Sequence, residues 1–293
     1  MILAFDIGGT RIKVARQGPI GLQRLGDTPT PADSFPAFVN ALQSFLHGDE
    51  TGACFSIAGV VDPQTGAINV ANIPCLQGRP IVADLQRALG LPVLILNDAD
   101  SFSLAEATHG AGRGHSSVFG LILGTGVGGG LIIDGRLVTG AGGFAGEWGH
   151  GPVIRDPALR CGCGQTGCLD TIGGGAGLSR LHKHLTGNDL DALQILSAWR
   201  SGQDQTTITH WLDLVSGALS LVVNVVGASV MPVGGGLSQA VDLITALDLN
   251  LRRRILWKTS QRLIVSAECG PEAGLIGAAE AGFAKFFGGK NAA

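Results

Sequence analysis

The sequence carries little charge and no long block of one sign. Asp, Glu, Lys and Arg make up 15% of 293 residues and the formal net charge is -3. Without a long basic run the chain lacks the electrostatic footprint of a nucleic-acid binder. No positively charged segment precedes an apolar stretch at the N-terminus, and Asp6 interrupts the opening hydrophobic run, so no signal peptide is expected. The longest apolar stretch, 219–233, is broken by Asn224 and Pro232 and falls short of the roughly 20 residues that a membrane span needs. These absences point to a soluble cytoplasmic protein with neither nucleic acid nor membrane as a partner.

What is present is an apolar, glycine-rich chain. Hydrophobic residues make up 45% and the mean hydropathy is positive, the composition of a packed globular protein. The length suits two lobes, and Gly110, Gly112 and Gly114 place their boundary near 110–117, giving lobes of 1–112 and 113–293 with the last helix free to return to the first. The 47 glycines fall in clusters (128–130, 173–175, 234–236) without a collagen-like period, which suits turns that press backbone against a ligand.

Hydrophobic patterning predicts strand, turn, strand over 2–7 and 11–14, a helix capped by Ser34, strands at 53–57, 67–70 and 92–96, and helices at 82–89 and 99–109. A second hairpin follows, 118–123 and 130–133 around a glycine turn, with Asp134-Gly135 as a two-residue turn. Helices are expected near 176–184, 190–200, 206–227, 238–256 and 272–286, and strands near 229–233 and 262–266. His182 and His184, beside Arg180 and Lys183, read as surface residues.

Gly124-x-Gly126-x-x-Gly129 has the spacing of a dinucleotide fingerprint, but a strand and a turn follow it where that motif needs a helix. A glycine turn between strands can still bind phosphate, because successive N–H groups curl into a nest with no side chain in the way. Two such turns, at Asp6-Ile7-Gly8-Gly9-Thr10 and at Gly124, Thr125, Gly126 and Gly128, would suit a triphosphate, with Asp6 helping to hold Mg2+. Each turn taken alone also reads as an ordinary tight hairpin.

Cys161, Cys163 and Cys168 with His150 supply four donors for a tetrahedral, structural Zn2+. The alternatives are free thiols or a disulfide, and a bridge between Cys161 and Cys163 would be strained. Asp98 ends an apolar strand and opens a helix, and reads equally as a general base for a hydroxyl or as an N-cap. Glu147 and Asp170 flank the proposed metal loop, and read either as groups that pair with sugar hydroxyls or as surface acids.

Taken together, Asp6-Ile7-Gly8-Gly9-Thr10, Asn97-Asp98-Ala99, 123–130, Gly146-Glu147-Trp148-Gly149-His150, the 161–168 cysteine motif and Gly234-Gly235-Gly236 resemble the ROK family of sugar kinases and sugar-responsive repressors, nearly end to end. The resemblance implies an α/β fold of the actin-like ATPase (ribonuclease H-like) type, two lobes with a nucleotide cleft, in a homodimer. It implies Asp98 as catalytic base and Asn72, Asn97, Asp98, Glu147, His150 and Asp170 as sugar contacts. ATP would meet Asp6, Gly8, Gly9, Thr10, Lys13, Gly124, Thr125, Gly126, Gly128 and Gly235. His150, Cys161, Cys163 and Cys168 would hold zinc. The implied reaction is phosphorylation of the 6-hydroxyl of a hexose. N-acetylglucosamine fits best through 56–59 and Ala71-Asn72-Ile73-Pro74, with glucose and N-acetylmannosamine as alternatives, and a non-catalytic sugar sensor is the reading from another class.

The pattern departs from the family at Asp170, where glutamate is usual, and near Gly174 and Ala176, where serine and arginine often stand. Pro232, in an expected central strand, would be more at home on an edge or at a strand end. A repressor would need a helix-turn-helix ahead of the core, and Asp6 opens the core almost at Met1, so no such module is expected.

Overall fold

The computed structural model describes residues 1–70 and 72–287. Ala71, first residue of the 71–74 motif, and 288–293, which the expected second lobe includes, lie outside the described residues. The chain forms two units. One holds Met1–Ala105, Thr139–Ala145 and the described residues from Cys269 onward; the other holds Glu106–Val138 and Gly146–Glu268. The first division falls inside a helix, whereas glycine clustering places it at 112.

The first unit is built on a five-stranded sheet of order β3-β2-β1-β4-β7. β1 (Ile2–Ile7) pairs antiparallel with β2 (Arg11–Gly18), which pairs antiparallel with β3 (Gly21–Pro29). On its other side β1 pairs parallel with β4 (Gly52–Ile57), which pairs parallel with β7 (Val93–Asn97). β1 and β4 are almost wholly buried, as continuous apolar strands covered on both faces must be. Phe5 and Phe55 stack across them with centroids 4.8 Å apart.

Ser34 caps α1 (Phe35–Gln43) through an Oγ contact from Ala37 N at 3.4 Å. β5 (Gly59–Val61) and β6 (Ile68–Val70) form a separate hairpin, α2 (Ile81–Leu89) ends at left-handed Gly90, and α3 (Asp98–Thr108) follows β7 directly.

The second unit repeats that strand order: β10-β9-β8-β11-β12. β8 (Ser117–Leu123) and β9 (Val127–Ile133) flank the glycine turn, and Asp134 and Gly135, both with positive φ, turn β9 into β10 (Arg136–Val138). Two residues with positive φ define the favoured hairpin turn. Then come α4 (Asp170–Gly173), α5 (Gly175–Thr186), α6 (Ala192–Arg200), α7 (Thr206–Val226), β11 (Met231–Gly234), α8 (Val241–Arg254) and β12 (Ile264–Ser266). α6 opens with a capping box between Asp191 and Gln194. α7 is long and apolar enough, by length and composition alone, to cross a membrane; one of its faces, with Trp211, Val215 and Leu219, is buried in this unit's core. α9 (Ala273–Phe287) returns to the first unit, where Gly282 lies against Ile2 and Cys54 with no room for a Cβ.

One expectation needs correction and three strands are new, whereas Pro232 lies as expected in an inner strand, β11, one residue from its start. β11 registers on β8 only at Val233 and Gly234, with an isolated bridge at Val230, so the missing N–H of Pro232 falls in a gap of that ladder. His182 is buried, with Nδ1 2.8 Å from Thr207 Oγ1, because its position on α5 faces α7 rather than water; His184 is exposed and pairs with Asp156. Strands β3, β5 and β10 are additions to the elements expected.

Candidate active site

In the first unit, the turn 8–10 carries β1 into β2. Gly8 N donates to Arg11 O at 3.0 Å, and Thr30 braces the turn through bonds to Gly8 O (2.7 Å) and Thr10 O (2.9 Å). A Cβ on Gly9 would stand 3.0 Å from Asn72 Cβ, so Asn72 lies directly against this turn. Asp6 follows the register opposite Lys13, with Nζ 3.4 Å from Oδ2. Burial pushes its carboxyl above the ordinary value and Lys13 pulls it back. Lys13 also donates to Pro271 O and lies 3.9 Å from Glu272, so its ammonium is engaged within the unit.

At the start of α3 the capping role falls to Asn97. Its Oδ1 accepts from Ala99 N (2.6 Å) and Asp100 N (3.2 Å), the N2 and N3 donors of the helix. Asp98 Oδ1 shares the Ala99 N–H at 3.0 Å, and Oδ2 makes no hydrogen bond among the described residues. Asp98 is exposed as a residue, while its carboxyl group loses hydration to the surrounding protein. That loss raises its pKa, offset in part by the N–H groups of Ala99 and Asp98. Both side chains thus meet the Ala99 N–H, and Asn97 also reaches the N–H of Asp100.

In the second unit, the turn 124–126 is closed by Gly124 N donating to Gly126 O (3.0 Å) and is backed by the N-terminus of α5, where Gly175 N donates to Gly124 O (2.7 Å). A Cβ on Gly174 would come within 2.5 Å of the carbonyls of Thr125 and Gly126, and one on Gly235, at φ +88, within 2.5 Å of Leu123 backbone. Side chains are excluded here by backbone on several sides, as a phosphate nest requires. Beside it a cavity of about 310 Å3 is lined by Gly124, Gly175, Leu193, Leu196, Gly236 and Gln239, among others.

β9 is glycine-rich because the 146–150 segment lies on it. Trp148 Nε1 donates to Gly128 O at 2.9 Å, and Cβ atoms on Gly129 and Gly146 would strike Trp148 and Gly129. This seats Glu147 and His150, whose Oε2 and Nε2 are 3.7 Å apart. His150 Nδ1 faces Cys161 Sγ at 3.7 Å, Cys163 and Cys168 Sγ are 3.6 Å apart, and the four donor atoms lie within 4.8 Å of one another. The Gln165 backbone N–H pulls the Cys163 thiol down to about 6, so it is largely thiolate at neutral pH.

Asp170 has partners on both the glycine turn and the cysteine loop. Its Oδ1 accepts from Val127 N at 3.0 Å, Oδ2 lies 3.7 Å from Cys161 Sγ, and its own N donates to Gly149 O. It ties the glycine turn to the cysteine loop. Sequence reasoning did not find Gly174 and Gly175 as backing for the turn, although their cluster was visible; it had no signal for Glu272.

Two units with the same mixed strand order, glycine turns at corresponding hairpins and a helix N-terminus behind one of them define the actin-like ATPase class of two-lobe α/β folds. Within that class the chain belongs to the ROK family, whose model matches residues 2–281. It is 35% identical over 301 residues to an N-acetyl-D-glucosamine kinase of Escherichia fergusonii, with 95% of this chain and 98% of that one covered. Among solved structures it is similar to a ROK hexokinase from Thermus thermophilus (28% identity, TM-score 0.87, 98% and 99% of the two chains). It is also similar to a ROK family glucokinase from Streptomyces griseus in complex with glucose and AMPPNP (28% identity, TM-score 0.72, 96% and 98%).

Proposed function

We propose that the chain is an ATP-dependent kinase that phosphorylates the 6-hydroxyl of a hexose, with N-acetyl-D-glucosamine as its preferred substrate. The observation that carries this reading is the start of α3: Asn97 caps the helix and leaves Asp98 Oδ2 uncommitted in a setting that raises its pKa. Asp98 accepts the hydroxyl proton as that oxygen forms its bond to the γ-phosphorus and the bond to the ADP oxygen breaks. A carboxylate with a raised pKa is the stronger base for this step. Asn97 keeps its Nδ2 donors for the sugar, and Asn72, Glu147 and His150 are its further contacts. Asp170 acts on the sugar only through the turn and loop it joins.

Each unit offers its own phosphate-type nest, the N–H groups of 9–10 in the first and of 125–126 in the second, and the 310 Å3 cavity beside the second suits the nucleoside. Asp6 is the carboxylate suited to magnesium, which when bound neutralises charge on the transferring phosphoryl group. The support for zinc is the donor spacing: a tetrahedron with Zn–S bonds of about 2.3 Å has edges of about 3.8 Å, and two donor pairs here are 3.6 and 3.7 Å apart, with all four donors within 4.8 Å of one another. With four protein donors the ion is structural. His150 then turns Nδ1 to the metal and Nε2 toward Glu147. We place the enzyme in the cytoplasm as a homodimer.

The substrate rests on overall similarity to kinases of N-acetyl-D-glucosamine. A coupled assay comparing kcat/KM for N-acetylglucosamine, N-acetylmannosamine and glucose decides it, and a clear preference for glucose reverses the choice. Sugar binding without turnover on any of the three identifies a sensor instead.

A further inference from the structure

Six side chains of the first unit form a line of alternating charge that ends on Asp6. Arg11 pairs with Asp27, and Asp27 lies 3.7 Å from Arg24. Arg24 pairs with Glu272, Glu272 lies 3.9 Å from Lys13 Nζ, and Lys13 Nζ lies 3.4 Å from Asp6 Oδ2. The line joins β1, β2 and β3 to the turn before α9, and Gly274, in the first turn of α9, lies against the Asp6 carboxylate with no space for a Cβ.

An ammonium has three N–H donors, and that of Lys13 has three acceptors around it: Pro271 O, Asp6 and Glu272. A lysine held in this way is a counter-ion within the unit rather than a free arm for phosphate. Its side chain is about one quarter exposed, so water screens the pair only in part.

Resting on the reading of Asp6 as the magnesium-side carboxylate, we infer that Lys13 is the resident counter-ion of Asp6, and that Glu272 is a positioning residue which draws the Lys13 charge partly away from it. The two residues then set, with opposite signs, how readily the protein accepts a divalent cation with its nucleotide. A cation approaching Asp6 competes with the ammonium. Glu272 weakens that competition because it offers the ammonium a second anion.

The test is calorimetric binding of AMPPNP at a series of magnesium concentrations, read as the magnesium level that gives half-maximal nucleotide binding. Glu272→Gln raises this midpoint by about three- to ten-fold, the size expected for one charge acting on a divalent ion two ion-pair contacts away in a water-like dielectric. Glu272→Asp, which keeps the charge, stays close to wild type, and Lys13→Met lowers the midpoint. A shift of both Glu272→Gln and Lys13→Met in the same direction overturns the inference. So does an unchanged midpoint in Glu272→Gln accompanied by a lower Tm, which would mark Glu272 as a clasp for the 270–272 turn and nothing more. Wild-type protein that binds no magnesium nucleotide sinks the kinase reading itself and this inference with it, whereas normal kinase activity with unmoved midpoints sinks the inference alone.

Discussion

Replacing Asp98 with asparagine removes a proton acceptor while leaving the start of α3 intact. Asn97 Oδ1 continues to accept from Ala99 N and Asp100 N, and an amide oxygen at 98 can still share the Ala99 N–H. General-base contributions run to about 10²–10⁴ in rate, about 2.7–5.5 kcal/mol of barrier at 1.36 kcal/mol per decade. We therefore expect kcat to fall at least ~100-fold in a coupled ADP-release assay, with calorimetric sugar binding retained.

The pH dependence separates this role from a structural one. Burial raises the Asp98 pKa in the folded protein, so its contribution to stability is complete below the unfolded value, about 3.9, and is lost as pH rises through the raised value. At neutral pH the ionised carboxylate opposes folding, and Asp98→Asn should match or exceed the wild-type Tm. Activity has the opposite sign. The base works only when ionised, so kcat/KM falls as pH drops through the same raised pKa, placing the acid limb above that of an exposed aspartate. Near-normal turnover in Asp98→Asn, or a Tm lowered by more than about 4 °C, would refute the reasoning and return Asp98 to the role of cap.

Other changes have local and distinguishable effects. Gly126→Ala puts a Cβ 2.1 Å from Asp170 Oδ1, breaking the brace on Val127. Losing a partner in this part-buried bond costs about 1 kcal/mol or more, so KM for ATP should rise several-fold with sugar binding unchanged, whereas Gly124→Ala, whose nearest neighbour is 3.7 Å away, should be much milder. Elemental analysis of protein prepared without chelator should give about one zinc per chain, lost with a fall in Tm in Cys163→Ser; metal-free wild-type protein would count against the site. Trp211→Phe removes the Nε1 bond to Gly173 O, worth about 1 kcal/mol, and should lower Tm by about 2–4 °C without altering KM for sugar.

Much of the architecture was legible along the chain because it is local. A glycine pair between apolar runs specifies a strand, turn and strand whatever surrounds it, and Asp134-Gly135 specifies its hairpin in the same way. The four zinc-type donors were visible because His150 and the three cysteines of 161–168 are close in sequence. β3 was not: it is largely exposed and carries no apolar alternation, so it exists because β2 offers it an edge. β5 and β10 are three residues each, too short to show a period.

The side-chain assignments divide along the same line. The sequence by itself determined the chemistry on offer, carboxylates at strand ends, thiols in a loop and backbone turns free of side chains, since these depend on residue type and near neighbours. Tertiary structure alone decided the partners: that Asp170 braces a turn 43 residues away, and that Lys13 is held by Pro271 and Glu272 at the far end of the chain. Such pairings depend on which strand lies beside which, and on where a helix returns, and no local pattern records either.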